Sequence, residues 1–107
     1  MKNFYYNRDG SERKEIDLQM TMDDKRVAED TVGKYWVSTV FLPFNYEWDD
    51  KKPPLIFETM VFVGKDMSTD SYQERYSTEE QAKAGHDKVV AYITKHGISP
   101  AYGDVLL

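Results

Sequence analysis

Two stretches of the chain are apolar at nearly every position, and the rest of the sequence organises around them. Tyr35-Trp36-Val37-Ser38-Thr39-Val40-Phe41-Leu42 is dense in aromatic and β-branched residues, which pack well on a pleated surface and lose side-chain freedom in a helix. The run predicts a central strand over 35–42, ended by Pro43, which cannot donate to a ladder. Leu55 to Val63 predicts a second strand, with Ile56, Met60 and Phe62 on one face and Leu55, Phe57, Thr59, Val61 and Val63 on the other. Both faces are largely apolar, so this strand belongs mid-sheet, with a helix over one face and further chain, or a partner, over the other.

The flanking segments carry weaker patterns. Phe4-Tyr5-Tyr6 is β-prone and Asn7-Arg8-Asp9-Gly10 has turn chemistry. Met20, Asp24, Val27 and Thr31 fall near helical spacing, but Asp23-Asp24-Lys25 breaks any apolar face; the segment reads as a short helix near 17–24, then a strand near 26–31. Thr31-Val32-Gly33-Lys34 follows as a hairpin turn. Gly64 to Asp70 reads as a polar loop, and Tyr72, Glu74 and Tyr76 alternate as one side of a half-exposed strand over 71–76. Ser77-Thr78-Glu79-Glu80 is a capping box with Ser77 as cap and Glu80 reaching back. The helix it opens runs to about Lys95, with Ala82, His86, Val89, Val90 and Ile93 on one stripe and Lys95, His96 and Gly97 at its carboxyl end. Gly85 inside it costs about 1 kcal/mol against alanine, which close approach to the sheet would offset. Val105-Leu106-Leu107 either tucks against the core or docks elsewhere. The expected architecture is α+β: an antiparallel β-meander of three to four strands with a carboxyl-terminal α-helix packed across one face.

Composition narrows the function classes. A length of 107 residues suits a single domain over 1–107. The absence of cysteine excludes disulfides, thiolate metal sites, iron–sulfur clusters and cysteine nucleophiles. Fourteen Lys and Arg stand against nineteen Asp and Glu, a net charge of −5, which argues against nucleic acid as the partner. The amino terminus lacks the apolar run of a signal peptide, and the longest apolar stretch falls short of the ~20 residues that cross a bilayer. A soluble, intracellular protein without membrane contact is expected.

Three separated blocks carry a resemblance: Trp36-Val37-Ser38-Thr39-Val40-Phe41-Leu42; Pro53-Pro54-Leu55-Ile56-Phe57-Glu58-Thr59-Met60-Val61-Phe62; and Tyr76-Ser77-Thr78-Glu79-Glu80 with Ala84-Gly85-His86. In this order they resemble small uncharacterised proteins of tailed phages and prophages, with VSTVxL, PPLIFETMVF and RYSTEEEAxxGH-like blocks. The matched core covers roughly residues 35–86. The resemblance implies a host-cytoplasmic location and assigns no activity. The chain departs from that pattern in the connection before the paired prolines, where relatives tend to carry a glycine and this chain reads Phe44-Asn45-Tyr46-Glu47-Trp48-Asp49-Asp50.

Candidate chemistry is sparse. His86 titrates near neutrality and suits acid–base work or metal ligation, yet it lies on the stripe that faces the sheet, where it would be hydrogen-bonded to Glu58 or Thr59. Glu58, an acid amid Phe57, Thr59 and Met60, must reach solvent or find Arg75, His86 or Lys65. A Glu58–His86 pair would serve as an acid–base couple or as a buried latch fixing the helix. Ser38 and Thr39 point to opposite faces, no nucleophile elbow or phosphate-binding glycine motif occurs, and His86 and His96 sit too far apart to close a metal site. Asp23-Asp24 and Asp49-Asp50 read as solvated acids, so no cofactor and no metal is expected.

The connection from Pro43 to Pro54 is the stronger feature. Phe44, Tyr46 and Trp48 alternate with polar residues on a segment that should run over the surface, and exposed Tyr and Trp dominate binding energy at interfaces. Phe44, Tyr46, Trp48, Asp49 and Asp50 are therefore the candidate partner-binding residues; the alternative is that the aromatics fold back onto the sheet. The expected function is that of a phage-type accessory protein that binds a host or phage protein. Inhibition of a host defence or regulatory protein fits, as does a minor structural or assembly role. An enzyme using Glu58 and His86 is the alternative. The two-faced apolar sheet also points to a homo-oligomer.

Overall fold

The computed structural model describes residues 4–49, 51–64 and 68–100. In chain order the elements are β1 (Tyr5–Tyr6), β2 (Glu12–Arg13), α1 (Met22–Lys25), β3 (Arg26–Val32), β4 (Tyr35–Phe41), β5 (Phe57–Val63), β6 (Ser68–Tyr76) and α2 (Glu79–His96). β3 to β6 form a four-stranded antiparallel sheet in sequence order, and β1 with β2 a separate hairpin. α2 packs across one face and touches all four strands. The fold is the α+β meander that the apolar pattern predicts.

Register decides which side chains the helix covers. β4 and β5 pair Tyr35 with Val63, Val37 with Val61, Thr39 with Thr59 and Phe41 with Phe57, and opposite residues share a face. These odd-numbered positions lie under α2. Tyr6, Phe41, Ile56, Phe57, Tyr76 and Ala82 form one apolar cluster there, and Tyr35, Val37, Val61, Tyr72, Val89 and Ile93 form another. Between them in the register sits the polar pair Thr39 and Thr59, with His86 on the helix one turn after Ala82. The even-numbered positions Trp36, Ser38, Val40, Glu58, Met60 and Phe62 face the other way, where no helix lies among the described residues.

Several boundaries differ from the sequence reading. The first helix is the single turn Met22–Lys25, capped by Thr21 in a reciprocal box with Asp24; no apolar stripe extends it toward residue 17. β6 begins at Ser68, which pairs with Val63, since backbone pairing needs no apolar side chain. Residues 68–70, expected in a polar loop, therefore belong to the strand, and a register irregularity opposite Met60 and Phe62 absorbs the extra chain. The cap of α2 is Thr78, with Gln81 as its reciprocal partner, rather than Ser77 with Glu80. Tyr76 is held in the ladder against Phe57 while its carbonyl accepts from the Ile56 amide, so the helix starts one residue later. Gly97, left-handed at φ 72°, closes α2 with its amide bonded to the Ile93 carbonyl. Lys65 and the Val105-Leu106-Leu107 tail lie outside the described residues.

Gly85 has a steric reason for being glycine. A β-carbon there would sit 2.2 Å from the Tyr76 hydroxyl oxygen and 2.5 Å from the ring carbon that bears it, and Tyr76 is buried and cannot swing away. On an open helix Gly85→Ala would stabilise by about 1 kcal/mol. Here overpacking reverses the sign, and urea denaturation of Gly85→Ala is expected to show a loss of about 1–3 kcal/mol.

Candidate functional site

The helix-covered face holds a continuous hydrogen-bonded chain. The Tyr76 hydroxyl donates to Thr59 Oγ1 at 3.2 Å, Thr59 and Thr39 share a bond of 2.6 Å, and Thr39 Oγ1 lies 2.7 Å from His86 Nδ1. On its other side His86 Nε2 lies 2.7 Å from Asp30 Oδ2, on the edge strand β3. A carboxylate only accepts, so His86 Nε2–H donates to Asp30; in a neutral imidazole Nδ1 then accepts from Thr39, whose single proton is used there, so Thr59 donates to Thr39 and accepts from Tyr76. This order of donors goes with the Nε2–H tautomer. Tyr76, Thr59, Thr39 and His86 are each satisfied within this row, and such buried groups would each cost ~1–3 kcal/mol if left without partners.

The order carboxylate, imidazole, hydroxyl is that of a nucleophile triad, but the exposure runs the wrong way. Thr39 is 0% exposed and His86 1% exposed, whereas Asp30 lies at the surface. A substrate carbonyl cannot reach a hydroxyl that sits beneath a helix and already holds bonds to Thr59 and His86. Two shallow clefts, of about 530 Å³ near Arg8, Ser77 and Glu79 and about 480 Å³ near Lys34, Tyr35 and Ile93, include none of these residues. Burial also pushes the Tyr72 and Tyr76 phenols upward, keeping them neutral, and raises the Glu74 carboxyl beside them. The network fixes α2 on the sheet.

Glu58 does not join it. As the neighbour of Thr59 on an extended strand it projects to the opposite face, where its Oε2 accepts from Gln73 Nε2 at 2.6 Å and Arg75 Nε at 2.9 Å. The expected Glu58–His86 couple is thus separated by the thickness of the sheet, and of the partners weighed for Glu58 the structure supplies Arg75. His86 keeps the sheet-facing position expected for it but bonds Thr39 rather than Glu58, and reaches Thr59 only through that hydroxyl. Among the described residues no group of three or more His, Asp and Glu is placed to hold a metal ion.

The uncovered face is different in character. Trp36 and Phe62 stack with ring centroids 5.2 Å apart, and Val40, Met60 and Leu42 are likewise half-buried beside them. The Arg26 guanidinium lies 5.7 Å over the Trp36 ring and pairs with Glu29, which also accepts from the Trp36 indole at 3.3 Å. Arg26 Nε is buried without an acceptor. At the other edge Arg75, held by Glu58, stacks 4.5 Å over Tyr46. Tyr46 meets Phe44 edge-on at 6.4 Å, and Phe44 meets Tyr5 at 5.9 Å across the Tyr5–Phe44 bridge. One aromatic strip therefore continues the uncovered face into the connection between β4 and β5.

That connection is pinned by its own side chains. Asn45 Oδ1 accepts from the amides of Glu47 (2.8 Å) and Leu55 (3.0 Å), Glu47 Oε1 from Asp49 (3.0 Å), and Asp49 Oδ1 from Lys51 (2.9 Å). The Tyr46 amide bonds the Leu55 carbonyl. Phe44 and Tyr46 are 37% and 41% exposed and Trp48 is 94% exposed. Trp48 lies wholly outside the core, while Phe44 and Tyr46 follow the fold-back alternative in part, Phe44 packing on Tyr5 and Tyr46 on Arg75 of the sheet. Asp50, also expected in this site, lies outside the described residues. Sequence reasoning missed Tyr5 and Arg75 as neighbours of the loop, since both reach it through tertiary pairing. No described helix is long and apolar enough to cross a membrane.

No protein-family model, no curated protein and no solved structure matches this chain. For the buried network the expected outcome is specific: Thr39→Val removes the donor to His86 Nδ1 and the partner of Thr59, lowering stability by about 1–3 kcal/mol in urea denaturation. Nitrogen-15 spectra of the wild type should show His86 with an unprotonated Nδ1 and a protonated Nε2.

Proposed function

We propose that the chain is a small phage-type accessory protein that acts in the host cytoplasm by binding another protein through the aromatic connection and the adjoining uncovered sheet face. The observation that carries this reading is Trp48, 94% exposed at the tip of a loop whose backbone is already fixed by Asn45, Glu47 and Asp49. A large aromatic side chain left in water has no folding role to explain it, and a loop ordered before contact loses less entropy on association. Phe44, Tyr46 and Asp49 share the surface, and the net charge of −5 favours a partner with a basic face. Inhibition of a host defence or regulatory protein is the role this surface and the phage resemblance suggest. The enzyme alternative built on Glu58 and His86 has no support in the geometry, which puts the two on opposite faces.

Affinity capture from host lysate tests the reading with the wild type beside a Tyr46→Ala, Trp48→Ala variant of unchanged thermal stability. The variant is expected to lose a captured partner by at least about tenfold, equivalent to ~1.4 kcal/mol. Equal recovery by both proteins would remove the loop from any binding role.

A further inference from the structure

We propose that the outer edge of β6 receives an extended segment of the partner protein by strand addition, with a lysine or arginine set against Glu74. This rests on the reading of the chain as a protein-binding module and names where, and by what chemistry, the partner's backbone joins it. The sheet order β3-β4-β5-β6 leaves two outer edges among the described residues, and such an edge presents unpaired amides and carbonyls to a chain extended along it. The two edges are not alike. β3 shifts register between Arg26 and Ala28, and its acids are committed: Glu29 holds Arg26 and the Trp36 indole, and Asp30 holds His86. β6 keeps an unbroken register from Gln73 to Tyr76 against Phe57 to Met60, and the acid it carries there is uncommitted.

Glu74 stands between Tyr72 and Tyr76 on the helix-covered side, where both tyrosines are buried, and opposite Thr59. It is half-buried and has no hydrogen bond or ion pair with any described residue. Burial alone displaces its carboxyl, upward, with no neighbouring cation to draw it back. Glu58, on the other face of the same two strands, is by contrast met by Gln73 and Arg75.

A carboxylate drawn out of water without a counterion is costly, and a strand laid along β6 takes Glu74 further from solvent. An acid facing it across the new pairing is disfavoured, and an ammonium or guanidinium there neutralises it. The edge backbone thus supplies affinity for an extended chain, while Glu74 selects among such chains by charge. On the other side of β6, Arg75 stacks on Tyr46 at 4.5 Å, so an added strand also runs beside the aromatic connection.

The test is a nuclear magnetic resonance titration of the full chain with three synthetic octapeptides: threonine and valine alternating around one central lysine, the same sequence with glutamate for the lysine, and the lysine peptide with every backbone amide methylated. The lysine peptide is expected to shift the amides of Gln73 to Tyr76 and slow their exchange with solvent, and to bind about tenfold more tightly than the glutamate peptide. The methylated peptide, which has no amide to donate, should not bind. Glu74→Gln, which removes an unpaired carboxyl and leaves the fold intact, should bind the lysine and glutamate peptides within about twofold of each other. Equal binding of those two peptides by the wild type, undiminished binding of the methylated one, shifts confined to Arg26 to Val32, or no shifts at millimolar peptide would each overturn the inference. A lysate partner that is lost with Tyr46→Ala, Trp48→Ala but not displaced by the lysine peptide would sink this inference and leave the loop's binding role standing; a partner displaced by the peptide yet recovered equally by both proteins would keep the edge and remove the loop.

Discussion

The alternation of side chains along Tyr35–Phe41 and Phe57–Val63 is the constraint from which the rest of the molecule follows. These two central strands are paired residue for residue, so each position is committed to one face with its opposite number. The odd positions are sealed by α2. The even positions are left with only one another, the outer strands and the aromatic connection for cover. A slip of one residue would place Glu58 beneath the helix and Thr59 outside, leaving a carboxylate buried where the structure has a satisfied hydroxyl.

Within the sealed face the polar row of Thr39, Thr59 and His86 interrupts two apolar clusters. An all-apolar row would bury more hydrocarbon, but it would also let α2 slide along a uniform surface. The hydroxyl chain ties one histidine to one strand position, and Gly85 lets the Tyr76 hydroxyl reach its place in that chain. The specificity gained by such a buried network is a property of register rather than of total stability. The same arrangement closes off a constellation with the members of a catalytic triad, since Thr39 and His86 are buried beneath the element they position.

Much of this was legible in the chain. The two central strands, the hairpin turn at Gly33-Lys34, the roofing helix and its glycine end all follow from local pattern, because β-branched density, turn chemistry and helix stripes are short-range signals. The alternation implies that Glu58 and Thr59 diverge, so a histidine on the sheet-facing stripe meets the threonine row and not Glu58; that it bonds Thr39 rather than Thr59 depends on how the helix lies across the strands, which has no local signal. Asp30 was invisible as a partner of His86, since an acid on a short edge strand has no local mark. The shift of the helix cap from Ser77 to Thr78 has the same origin: two hydroxyls stand side by side, and the Tyr76–Phe57 pairing chooses between them. For the aromatic connection the residue types were readable, but the packing of Tyr5 and Arg75 against it depends on chain segments far apart in sequence.

The central claim is a division between a sealed structural face and an aromatic surface left open for a partner. Hydroxyl-radical footprinting of the free protein, read residue by residue by mass spectrometry, tests it directly. The account predicts heavy modification of Trp48 and substantial modification of Phe44 and Tyr46, with Tyr6, Tyr72, Tyr76 and His86 protected until the protein unfolds. Protection of Trp48 and Tyr46 in the free protein, or ready modification of His86 in the folded state, would contradict it.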